Sequence, residues 1–130
     1  MPADSDWIIL DTSALAAYLA HEGGARTVIT YRHRLAIPFI TLTELTYLVW
    51  QRRGEEEAVA QYTLVTKWNR PILWPDEMIL MTAARFKAQY ALGLADSYIA
   101  AFAKIYNAPL LTKDRDYQHL RGEISLILLS

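Results

Sequence analysis

The feature that most constrains this chain is a series of short, almost wholly apolar runs, each stopping abruptly at polar or turn-forming residues and mostly alternating with helical stretches. Trp7, Ile8, Ile9 and Leu10 form the first run, ended by Asp11 and the cap-type residues Thr12 and Ser13. A run this brief and rich in strand formers reads as a β-strand buried on both faces. Similar runs cover residues 35–40, which include Pro38, then 72–74, 109–112 and 124–129. Between them lie helical stretches at 14–20, broken by Gly23 and Gly24, and at 25–34, ending in the basic Arg32 and Arg34. Thr41 and Glu44 have capping-box spacing and predict a helix start there, carrying Leu45, Leu48 and Val49 on one face to near Gly54. Glu55, Glu56 and Glu57 place acids at the positive end of the next helix, to about Trp68, and Pro75-Asp76-Glu77 opens another to about Tyr90. After Asp96 comes a helix with Ile99, Ala100 and Ala103 on one side and Tyr98, Phe102 and Ile105 on another, a pattern that predicts burial nearly all round. The alternation implies an α/β fold: a short parallel central sheet flanked by helices, a three-layer sandwich formed by residues 1–130 as one domain.

Composition narrows the function classes. With 53% hydrophobic and 21% charged residues the chain can bury a core, and disorder is not expected. Lys plus Arg number 13 against 14 Asp plus Glu, a net charge of -1, so a general polyanion binder is not expected and any nucleic-acid contact must use local patches. Arg32-His33-Arg34, Arg52-Arg53 and Lys113 with Arg115 are such patches. The absence of cysteine excludes disulfides, thiolate metal sites and a Cys nucleophile, and fits a reducing compartment. An acidic N-terminal stretch without signal-peptide order, and no apolar run long enough for a bilayer, predict a cytoplasmic protein with no membrane partner.

In an open parallel sheet, sites form outside the carboxyl ends of the strands. That rule selects Asp11, Asp114 and Asp116 after two strands, with Glu44 and Asp96 in first turns of neighbouring helices. Each has a plain structural alternative. Asp11 and Asp96 can cap helices, Glu44 can close a capping box, and one of Asp114 and Asp116 can be simply solvated. If all five carboxylates meet on one rim they repel, and a cation relieves them. An all-oxygen set without Cys or a His cluster points to Mg²⁺ or Mn²⁺. Like-charge strain further predicts that replacing Asp11 by Asn would stabilise the cation-free protein. His21, His33 and His119 are scattered in surface-like contexts, and Tyr47, Trp50, Tyr62 and Trp68 read mostly as core.

Four stretches carry a family resemblance. Ile9 to Leu15 with Asp11, Thr41 to Leu45 with Glu44, Leu94 to Ala101 with Asp96, and Leu110 to Tyr117 with Thr112 and Asp114 resemble, in order, the motifs of PIN-domain ribonucleases, above all VapC-like toxins of toxin-antitoxin pairs. The resemblance implies metal-dependent hydrolysis of single-stranded RNA to 5'-phosphate and 3'-hydroxyl ends. Asp11, Asp96 and Asp114 would hold the metal with Glu44 nearby, and Thr12, Ser13, Thr112 and Asp116 would support them. It also implies a homodimer and a small VapB-like antitoxin covering the acidic groove. Between Asp114 and Asp116, the former is favoured because it lies nearer Thr112. Tyr117 stands where the family often has Phe, a change expected to keep the packing. A haloacid-dehalogenase-like phosphatase would need an acid at Ser13, and a receiver domain a strand-end Asp where Asp76 opens a helix. A non-catalytic PIN-like module that binds RNA or protein is the remaining rival.

Overall fold

The computed structural model describes residues 6–130; the rest of the acidic N-terminal stretch, residues 1–5, lies outside the described residues. Five strands form one sheet: β1 (Ile8–Leu10), β2 (Leu35–Pro38), β3 (Ile72–Leu73), β4 (Leu110–Thr112) and β5 (Leu126–Leu128), in spatial order β3-β2-β1-β4-β5. Every neighbouring pair is parallel. Helices α1 (Thr12–Leu19) and α2 (Ala25–Thr30) join β1 to β2, and α3 (Phe39–Arg53) and α4 (Glu55–Thr66) join β2 to β3. Helices α5 (Glu77–Gln89) and α6 (Leu94–Ile105) then carry the chain back past β1 to β4, and a 3-10 helix over Arg115–Leu120 leads toward β5.

The alternation of side chains along each strand divides the interior into two cores. Ile9, Ala36 and Leu110 face one side, packed with Ile79, Ala83 and Phe86 of α5 and Ile99 and Phe102 of α6. Ile8, Leu10, Leu35, Ile37 and Leu111 face the other, against Ala14, Leu15, Val28, Leu42, Leu45 and Val65 of α1 to α4. Both faces of the central strands are therefore dry, which is why their sequences carry no polar alternation. The three-layer α/β arrangement expected from the sequence is the one observed, and α6 is buried as its composition predicts. No helix among the described residues is long and apolar enough to cross a membrane.

The order in which strands are added reverses at the centre of this parallel sheet, since β2 and β3 lie on one side of β1 and β4 and β5 on the other. The carboxyl ends of β1 and β4 thus flank the topological switch point, where a crevice opens in doubly wound sheets. Their register, Leu10 opposite Leu111, places Asp11 beside Thr112, and the Asp11 amide donates to the Leu111 carbonyl at 3.1 Å.

Three boundaries differ from the sequence expectation. Helix α2 stops at Thr30 and residues 31–34 form turns, in which the Arg34 amide donates to the Tyr31 carbonyl. Strand β2 ends at Pro38 and α3 begins at Phe39, so Thr41 and Glu44 do not form a capping box. The fully buried Thr41 hydroxyl instead donates to the Leu10 carbonyl at 2.8 Å, a tertiary partner that replaces the local cap. Helix α6 is capped by Gly93, which leaves Asp96 inside the first turn and removes its cap reading. Tyr47, Trp50 and Tyr62 lie 44–48% exposed, contrary to the core placement expected of them.

Candidate active site

Asp11 is the anchor of the rim. It is 2% exposed and caps α1, its Oδ2 lying 3.4 Å from the Ser13 amide. The same oxygen accepts the Ser13 hydroxyl at 2.6 Å and the Thr112 hydroxyl at 2.7 Å. Those two hydroxyls are 3.1 Å apart, yet each already gives its hydrogen to Asp11. Their lone pairs are used as well: Ser13 Oγ accepts the Lys113 amide and Thr112 Oγ1 the Asp114 amide, both at 2.9 Å. The opening of α1 and the end of β4 are thereby stitched together through one carboxylate.

The other acids surround this anchor from different elements. Glu44, on α3, accepts the Thr12 hydroxyl at 2.6 Å, which ties α3 to the start of α1. Asp96 sits in the first turn of α6, at its positive end. Asp114 caps the 3-10 helix by accepting the Asp116 amide at 2.9 Å, while Asp116 itself is exposed. Burial pushes the Asp96 carboxyl up to about 6, with the Asp11 charge adding to it, a Tyr117 hydrogen bond opposing it, and Asp114 and Glu44 adding further. Asp96 therefore feels Asp11, Asp114 and Glu44, and Asp116 is not among the charges that act on it.

The residue that sequence reasoning missed is Tyr117. Its ring is fully buried, and its hydroxyl lies 3.0 Å from Asp11 Oδ1 and 3.0 Å from Asp96 Oδ1. The change from the Phe of the related motif does more than keep the packing, because it brings a donor between two acids. Burial, the Asp11 and Asp96 charges and the bonds to both raise the Tyr117 hydroxyl well above the usual phenol range, so it remains a protonated donor. The available signal was a tyrosine at a position where the related motif packs a Phe, since a buried phenol needs a polar partner.

Among the described residues no Lys or Arg pairs with Asp11, Glu44, Asp96 or Asp114; the ion pairs there join Arg85 and Lys104 to Glu123. Nor do three His, Asp or Glu side chains among them form a ready-made metal cage. The donor chemistry, carboxylates and hydroxyls with none of the acids ion-paired, is that which a hard dication would take. His21, His33 and His119 are exposed. Two apolar cavities lie elsewhere, one of about 310 Å³ beside Tyr18 and Trp68 and one of about 610 Å³ between α3 and α4.

A family model described as the PIN domain matches residues 8–123. Solved structures with a similar fold include DNA-bound VapBC from Salmonella typhimurium, at TM-score 0.77 and 20% identity over 93% of this chain and 96% of that chain. VapC20 of Mycobacterium tuberculosis, a toxin that cleaves the sarcin-ricin loop, aligns at TM-score 0.77 and 16% identity over 95% of this chain and 99% of that one. VapBC-1 from nontypeable Haemophilus influenzae aligns at TM-score 0.72 and 24% identity over 93% and 96% of the two chains. No curated protein sequence is similar to the chain.

Proposed function

The chain belongs to the PIN-domain family, and from that premise we propose that it is a divalent-metal-dependent endoribonuclease acting on single-stranded RNA, the toxin of a toxin-antitoxin pair. The observation that carries this reading is the acid rim at the switch point, where Asp96 feels the charges of Asp11, Asp114 and Glu44 and none of the four is ion-paired among the described residues. In this reading Asp11, Asp96 and Asp114 hold Mg²⁺ or Mn²⁺. Such an ion, when bound, supplies acidified water and neutralises charge developing on the phosphate. The protein's own part is positional. Ser13 and Thr112 occupy Asp11 Oδ2 and leave Oδ1 to the Tyr117 hydroxyl and an ion, and Thr12 orients Glu44. Lys113 and Arg115, beside Asp114, are placed to meet RNA phosphates, which suits a chain whose net charge gives no general affinity for polyanions.

The same reading assigns two protein partners. The apolar groove between α3 and α4, lined by Leu42, Tyr47, Trp50, Val59, Tyr62 and Trp74, suits an apolar segment of a small VapB-like antitoxin. A homodimer gives cover to the exposed Met78 and Met81 of α5. Incubating purified, partner-free protein with unstructured and structured RNAs in Mg²⁺, Mn²⁺ or EDTA tests the activity. Cleavage of unstructured RNA should require the metal and should fall at least about 100-fold in folded Asp96→Asn, where a neutral amide replaces a hard ligand. Undiminished cleavage in EDTA would rule out the metal mechanism. Metal-independent RNA binding without cleavage would identify a non-catalytic module instead.

A further inference from the structure

Asp96 has one hydrogen-bond partner among the described residues, the Tyr117 hydroxyl at 3.0 Å. The same hydroxyl lies 3.0 Å from Asp11 Oδ1, so both carboxylate oxygens are held around a single atom. We propose that Tyr117 is a positioning residue for cation binding, its hydroxyl fixing Asp11 Oδ1 and Asp96 Oδ1 on one side of the rim so that a single divalent ion can engage both. This rests on the metal-dependent reading above.

The geometry supports the role in three steps. Asp11 is tied down, because its amide is in the β1–β4 ladder and its Oδ2 already takes two hydroxyl hydrogens, leaving Oδ1, bonded to the Tyr117 hydroxyl alone, as the oxygen with a lone pair to spare for an ion. Tyr117 is equally fixed, its ring 0% exposed in the core formed with α5 and α6. Asp96 is different: it is half-buried on α6 and faces the charge of Asp11, which favours rotation of its carboxylate away from the rim. The hydroxyl has one hydrogen and two acceptors, so it serves either acid in turn while its oxygen stays put. Each Oδ1 retains a lone pair for a cation while accepting that hydrogen. Without the hydroxyl nothing described holds Asp96 against Asp11.

The test is Tyr117→Phe, which removes one oxygen atom and keeps the ring. Binding of Mn²⁺ alone is titrated by calorimetry, with circular dichroism and melting in EDTA read in parallel, and the measurement is repeated in an Asp96→Asn background. Tyr117→Phe should retain the parent's spectrum yet bind Mn²⁺ about 10–100-fold more weakly, the loss typical of removing a group that orients a ligand. In the Asp96→Asn background the same substitution should cost much less, since its effect passes through Asp96. Equal or tighter Mn²⁺ binding by folded Tyr117→Phe, or full additivity with Asp96→Asn, would overturn the positioning role and leave the metal-dependent reading standing. Unfolding of Tyr117→Phe would show the hydroxyl to be a structural tie and also overturn it. A parent protein that binds no Mn²⁺ would overturn both.

Discussion

Asp11 and Asp96 are both carboxylates at the mouth of the sheet, yet their surroundings separate them. Asp11 receives hydrogens from Ser13, Thr112 and Tyr117, so replacing it by Asn removes a well-bound acceptor and the expected stabilisation does not follow from this structure. The strain falls on Asp96 instead, whose carboxyl is pushed up to about 6 by burial first and by the Asp11 charge second. Below the usual carboxylate range Asp96 is protonated in both folded and unfolded chains and pH changes nothing through it. Between that range and about pH 6 the folded chain holds a proton that the unfolded chain has lost, so rising pH destabilises the fold; above it the penalty is constant. In EDTA, melting temperatures of the parent should therefore fall relative to Asp96→Asn as pH rises from about 4 to 6.5. Parallel curves for the two proteins across that window would show that Asp96 carries no such strain.

At the scale of elements, the far end of the molecule is held by a second, unrelated cluster. Glu123, in the turn before β5, accepts Arg85 of α5 through both oxygens at 2.7 and 2.8 Å, the Tyr90 hydroxyl at 2.8 Å, and pairs with Lys104 of α6 at 3.5 Å. Arg85 is the main reason the Glu123 carboxyl is held down to about 2, with Tyr90 and Lys104 assisting against the cost of burial. A depressed acid stabilises the fold above the ordinary carboxylate range and loses that effect as pH falls toward about 2. Because the Arg85 and Lys104 side chains are 40% and 39% exposed, the contribution is bounded by that of a solvent-reached pair. Glu123→Ala should cost up to about 1 kcal/mol at neutral pH, read by urea denaturation, and the cost should vanish near pH 2. RNA cleavage should be unchanged. A cost independent of pH would assign the effect to packing.

For the whole molecule, the telling surface is apolar. Met78 and Met81 are each 61% exposed and share one face of α5 at a spacing of three residues, and Trp74, 69% exposed, precedes them. Such a face suits burial against a second copy, as the proposed homodimer requires. Sedimentation equilibrium of the parent should report a dimer, and Met78→Glu with Met81→Glu should give a folded monomer of unchanged melting behaviour at low concentration. A parent that is monomeric at tens of micromolar would sink this assembly.

The sequence by itself determined the strands and the layered arrangement, because a strand buried on both faces must be apolar throughout and ends where Asp11, Pro38 and Thr112 lead into a helix or a bend. It also placed Asp11 and Asp114 just past the ends of β1 and β4, since that depends on local order alone. Only the tertiary structure decided which local options were used. Thr41 gave up a capping role for the Leu10 carbonyl, Gly93 took the cap that Asp96 was free to fill, and Tyr47, Trp50 and Tyr62 stayed outside because α3 and α4 pack through other residues. Hydrogen bonds between residues a hundred positions apart, such as Thr112 or Tyr117 to Asp11, leave no periodic trace in a sequence; they exist only once parallel strands and the 3-10 helix bring their ends together.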